Sequence, residues 1–139
     1  MKREIEFRGK TAKGEWVYGD LVSIPNGDSF ERYIISDFDE RDSIYDLGKY
    51  AIKVIPETVG QYVGIKDKNG KKVYEGDIVK TKYGRLCRVV KISLPSYVGW
   101  DLEVFDENNA LTTKKPEEYD LYYKDNLEVI GNIFDGVQQ

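Results

Sequence analysis

The chain has 139 residues, a net charge of −4, 40% hydrophobic and 33% charged side chains. That balance excludes general disorder and fits one domain, or two small subdomains, able to fold without disulfides or metal. The complete absence of histidine excludes imidazole metal ligands and every nucleophile system built on a histidine base.

In chain order, Glu4 to Arg8 alternates charged and apolar residues, with Ile5 and Phe7 inward, as in a half-buried strand. Gly9 to Gly14 reads as a turn, and Glu15 to Ile24 is rich in Trp16, Val17, Tyr18, Leu21 and Val22, which predicts a hairpin partner. Pro25-Asn26-Gly27-Asp28 is expected to stop that strand. Arg32 to Ile35 predicts a third strand. Asp37 to Asp46 suits either a loop or a short helix ended by Gly48. Strand character returns from Tyr50 to Ile55, and Pro56 either ends it or opens one helical turn.

Lys68-Asn69-Gly70-Lys71 carries Asn-Gly, the pair expected in a two-residue type I′ hairpin turn. A calcium-loop reading that begins at Asp67 fails, because Ile78 stands where a bidentate acid is needed. The stretch therefore reads as a solvated turn. Ile78 to Tyr83 and Leu86 to Ser93 are predicted strands joined by a turn at Gly84-Arg85. Trp100 to Phe105 alternates as another strand, and Asp106 to Asn109 is a turn. Pro116 to Tyr123 fits a short helix or a strand equally well. Leu127 to Phe134 is the last predicted strand, and Gly136 to Gln139 a frayed tail.

The glycines of Gly19-Asp20 and Gly76-Asp77 suit positive φ or close backbone approach, and the aspartates suit turn fixing through backbone N–H groups. The expected fold class is mainly β, with minor α. It comprises an N-terminal β subdomain over residues 1–63 and a C-terminal subdomain over 64–139 that resembles an SH3-like barrel. Cys87, the sole cysteine, permits no intrachain disulfide and suits a reducing compartment. With no apolar leader and no run long enough to span a bilayer, the expectation is a cytoplasmic protein without membrane association.

Charge is unevenly placed. Residues 64–97 hold 9 basic and 3 acidic side chains, whereas residues 98–139 hold 3 basic and 10 acidic ones. Compensation between adjacent strands explains this blandly. The alternative is a nucleic-acid-binding hairpin face made of Lys80, Lys82, Arg85, Arg88 and Lys91, with Tyr83 as a stacking platform. The 11 tyrosines and two tryptophans suit a protein partner or a homo-oligomer. The carboxylate pairs Asp37/Asp39 and Glu117/Glu118 read as solvated charges. No phosphate loop, metal-ligand spacing or nucleophile elbow appears, so neither an enzyme nor a cofactor is expected.

Three separated blocks resemble the YopX family. The first is Arg3 to Lys10 followed by Glu15 to Leu21. The second runs from Pro56-Glu57-Thr58-Val59-Gly60-Gln61-Tyr62-Val63-Gly64 through Asp67 to Lys71 and on to Tyr74-Glu75-Gly76-Asp77-Ile78-Val79. The third is Leu127 to Ile133. The resemblance implies a β-rich protein of phages and prophages, with no catalytic residues to transfer. The expected role is a non-enzymatic accessory module that binds or assembles in the bacterial host cell.

Overall fold

A computed structural model describes residues 5–36, 43, 45, 47–82, 84–95, 97–105 and 127–137. The chain divides into two compact units, Met1–Tyr62 and Val63–Gln139. Among the described residues the architecture is mainly β, built of antiparallel ladders with one short helix.

In the first unit, β1 (Phe7–Lys10) pairs antiparallel with β2 (Trp16–Asn26), from Lys10↔Trp16 to Phe7↔Gly19. From Asp20 onward β2 pairs instead with β3 (Ser29–Ile35). The change of partner falls at Gly19, where φ is 154° and an added Cβ would stand 2.0 Å from the Ile35 carbonyl oxygen. Only glycine permits that approach. After α1 (Leu47–Tyr50), β4 (Ala51–Val54) pairs with β3.

The chain then turns back along β1. Pro56 opens a 3-10 turn, Pro56–Thr58, so the helical-turn alternative holds after a strand that stops at Val54. The Ile55 N–H donates to the Lys10 carbonyl at 2.8 Å, and the Lys10 N–H donates to Thr58 Oγ1 at 2.8 Å. β5 (Gly60–Lys66) continues this edge through Arg8↔Gly60 and Phe7↔Gln61. Gly9 lies beneath Val54, and a Cβ there would come within 2.8–2.9 Å of three Val54 side-chain atoms.

In the second unit, β5 runs on past Tyr62 and pairs with β6 (Lys72–Tyr74). A separate five-stranded sheet has the order β11-β10-β7-β8-β9, formed by β7 (Asp77–Thr81), β8 (Leu86–Leu94), β9 (Tyr97–Val104), β10 (Leu127–Asn132) and β11 (Gly136–Val137). Val63 of β5 and Val73 of β6 join Val79, Cys87, Val89, Leu102 and Leu127 of this sheet in one buried core. Residues two apart on a strand share a face, so Cys87 and Val89 of β8 enter the core together.

Three hairpins use one turn design. Thr11, Asp67 and Thr81 each donate their N–H to the carbonyl four residues on, at Glu15, Lys71 and Arg85. Each of their carbonyls accepts the N–H of a glycine three residues on, at Gly14, Gly70 and Gly84. Those glycines have φ of 87°, 82° and 84°. A side-chain oxygen of each leading residue also accepts the N–H at the fourth position, from Glu15, Lys71 or Arg85. The Asn-Gly turn is therefore one position longer than a two-residue type I′ loop, because Asp67 rather than Lys68 closes it.

Several expectations change. Pro25 lies within β2, opposite Phe30, rather than ending it. β1 pairs with β2 only as far as Gly19, so that edge of β2 makes no ladder demand on Pro25. Gly48 lies inside α1 and does not end it. Gly136 and Val137 pair with Asn132 and Gly131 instead of fraying. The SH3-like barrel expected over residues 64–139 does not close among the described residues, since the sheet ends on β9 and β11. The loop and turn expectations for residues 37–42 and 106–126, with both carboxylate pairs, lie outside the described residues.

Candidate functional site

The basic hairpin predicted from the sequence is β7, its turn and β8. Lys80 is exposed on β7, opposite Leu86 on β8 and Glu128 on β10. Lys82 is also exposed, but it sits in the turn beyond the end of β7, so period-two alternation does not join it to Lys80. Arg85 closes that turn and is exposed. Tyr83 lies outside the described residues.

The other two predicted cations separate from this group. Arg88 stands across from Glu103, and its Nη2 donates to Glu103 Oε2 at 2.7 Å with both side chains about 30% exposed (29% and 32%). Its charge is matched by a strand neighbour, as opposite-charge cross-strand pairing predicts. Lys91 has the parity of Cys87 and Val89, and it lies across from Trp100. It therefore belongs to the opposite face from Arg88. The sequence correctly identifies a basic hairpin but not the way its cations divide.

The structure adds cations that the hairpin reading missed. Asp67 is buried, not solvated: its Oδ1 accepts the Asn69 and Lys71 N–H groups, both at 2.9 Å. Its Oδ2 accepts the Val129 N–H at 2.9 Å, and the Lys68 N–H donates to the Leu127 carbonyl at 3.0 Å. Leu127 is in turn the register partner of Thr81. The β5–β6 turn and the β7–β8 turn are thus tied to the same point on β10. Lys68 and Lys71 are exposed there, and Lys68 Nζ lies 3.1 Å from Glu128 Oε2. The shared pattern Asp67-Lys68-Asn69-Gly70-Lys71 and Thr81-Lys82-Tyr83-Gly84-Arg85 was a usable signal for this. The bond from Asp67 to Val129, 62 residues away, was not visible in it.

The glycine–aspartate corners divide as well. Asp77 is buried and accepts the Tyr74 N–H at 2.7 Å, which fixes the turn before β7. Asp20, expected to do the same, is exposed within the β2–β3 ladder. Other polar clusters lie in the first unit. Glu31 accepts from Tyr33 Oη at 2.8 Å and Asn26 Nδ2 at 3.1 Å, with Lys53 Nζ 3.6 Å away. The Tyr33 hydroxyl first, then the Lys53 charge, hold the Glu31 carboxyl below the usual carboxylate range, and the same bond raises the Tyr33 phenol. Arg8 and Lys10 lie over the Trp16 ring at 4.7 and 5.9 Å from its centroid.

Among the described residues, no group of three or more Cys, Asp or Glu side chains is placed to hold a metal ion. There too, no helix is long and apolar enough to cross a membrane. Comparison with curated proteins finds no match. A family model, described as YopX protein, matches residues 6–137. Its span includes the β1–β2 hairpin, the run from the 3-10 turn through β7, and β10, the segments whose sequences carried the resemblance. With nearly the whole chain matched, this protein belongs to the YopX family.

Proposed function

We propose that this chain is a non-enzymatic accessory protein of a phage or prophage, acting in the host cytoplasm by binding a protein partner. The observation that supports this best is the outer half of the β2–β3 hairpin. Residues 23–30 are all exposed, and this paired ribbon presents Ile24 (47% exposed) and Phe30 (55%) on its two faces. Exposed apolar side chains on a ribbon are suited to protein contact. The Glu31 cluster cross-links the base of the ribbon and holds its register. The buried carboxylates also favour binding over chemistry, since Asp67 and Asp77 are both engaged with backbone N–H groups.

Affinity capture from phage-infected bacteria, with and without nuclease, tests the binding reading. A nuclease-resistant partner lost with Ile24→Ser/Phe30→Ser is expected. A partner captured equally by that folded variant would count against the hairpin.

A further inference from the structure

We propose that the β5–β6 and β7–β8 turns of the second unit together form one binding surface for the phosphate backbone of nucleic acid, carried by Lys68, Lys71, Lys80, Lys82 and Arg85. The two turns belong to different hairpins, at residues 67–71 and 81–85, and converge on β10. Asp67 leads the first turn and bonds Val129, while Thr81 leads the second and registers with Leu127. All five cations are exposed. Among the described residues, the carboxylates tied to these turns are Asp67, whose oxygens are taken up by three amides, and Glu128, paired with Lys68 and opposite Lys80. Among the described residues these two turns carry more positive than negative charge, although the whole chain is acidic. Several cations distributed over two adjoining turns match a ligand with charge repeated along its length. A sugar–phosphate backbone is such a ligand, and it displaces counterions as it binds.

This surface differs from the hairpin face expected from the sequence. Arg88 is committed to Glu103 and Lys91 has the other parity, so neither contributes. Glu128 acts against binding, because its carboxylate repels phosphate and holds Lys68.

Fluorescence anisotropy with labelled 20-nucleotide single-stranded and duplex DNA, titrated with salt, tests the proposal on the full chain. Binding at low salt should weaken with a log–log slope of roughly −3.5 on single strands and roughly −4.5 on duplex if all five cations engage, since each neutralised phosphate contributes about −0.7 and about −0.9 respectively. Lys71→Gln and Arg85→Gln, one on each turn, should each reduce the slope by about one contact. Glu128→Gln should tighten binding several-fold, an effect opposite in sign that general destabilisation cannot mimic. Lys91→Gln should change nothing. No binding at low salt would overturn the proposal. So would full affinity in the Lys71→Gln/Arg85→Gln double variant, or a loss on Lys91→Gln as large as on Arg85→Gln. The Ile24→Ser/Phe30→Ser variant should bind DNA like the parent, so the protein-binding reading and this one can fail separately.

Discussion

The second unit buries a continuous set of side chains, Val63, Val73, Val79, Cys87, Val89, Leu102 and Leu127, each at most 8% exposed. Among the described residues the first unit has fewer buried side chains, including Ile34, Ile35 and Val54, and it obtains closeness in another way. Glycine lets its backbone approach where a side chain would block it, at Gly9 under Val54 and at Gly19 against Ile35. Hydrogen bonds from Ile55 and to Thr58 then close the edge of β1. Both units are antiparallel and similar in strand content, yet one depends on apolar volume and the other on the absence of it. The types of mutation they tolerate should differ accordingly.

The largest expected effect is in the second unit. Leu102→Ala removes a side chain only 1% exposed from the centre of the core, which should cost about 2–5 kcal/mol through lost transfer energy plus a residual cavity. Denaturant unfolding measures it, and amide exchange should accelerate first in β8 and β9. A cost under about 1 kcal/mol would mean that the core there is looser than its burial implies.

A smaller effect of opposite origin is expected in the first unit. Adding a methyl group to a strand glycine ordinarily stabilises by about 0.4–1 kcal/mol. At Gly9 the same methyl meets three Val54 atoms within 2.9 Å, so Gly9→Ala should instead destabilise by about 1–3 kcal/mol through overpacking. Shortening the obstacle, in Gly9→Ala/Val54→Ala, should recover part of that loss relative to the sum of the single changes. Additive costs in this double-mutant cycle would disprove the close-approach account.

The smallest effect separates charge from packing. Glu31 has its folded-state pKa lowered, first by the Tyr33 hydroxyl and then by Lys53. Its stabilising contribution is therefore present above the unfolded value of about 4.3 and is lost as pH falls through the lowered folded value. Tyr33 is raised, first by its bond to Glu31. Its contribution holds below about pH 10 and is lost as pH rises through the raised folded value. Thermal melts across pH should show Glu31→Gln losing part of the acid limb. A Glu31 carboxyl titrating at or above the ordinary value by NMR would refute the assignment.

Much of this pattern is legible along the chain. Alternation in residues 100–105 marks a strand, and Gly14, Gly70 and Gly84 mark turns because their positive φ is a local demand. Alternation in residues 4–8 misplaces both strand and face: β1 is Phe7–Lys10, Ile5 is exposed and Arg8 is buried. The family resemblance came from the same locally constrained segments. The candidate site was legible only in part. Lys80, Lys82 and Arg85 belong to one hairpin and remain together, whereas Arg88 finds Glu103 and Lys91 turns to the other face. A shift of three positions along β8 reverses the face, so a count of basic residues cannot assign them to a surface without the register.

Local backbone preference, read from single residues and their near neighbours, was enough to determine that this chain forms short antiparallel ribbons joined by glycine turns. It could not determine which ribbons meet. Asp67 reaching Val129, Leu127 aligning with Thr81, and Val54 settling over Gly9 each join positions more than forty residues apart. Such contacts depend on strand register and on the burial of apolar faces, which only the assembled tertiary structure supplies.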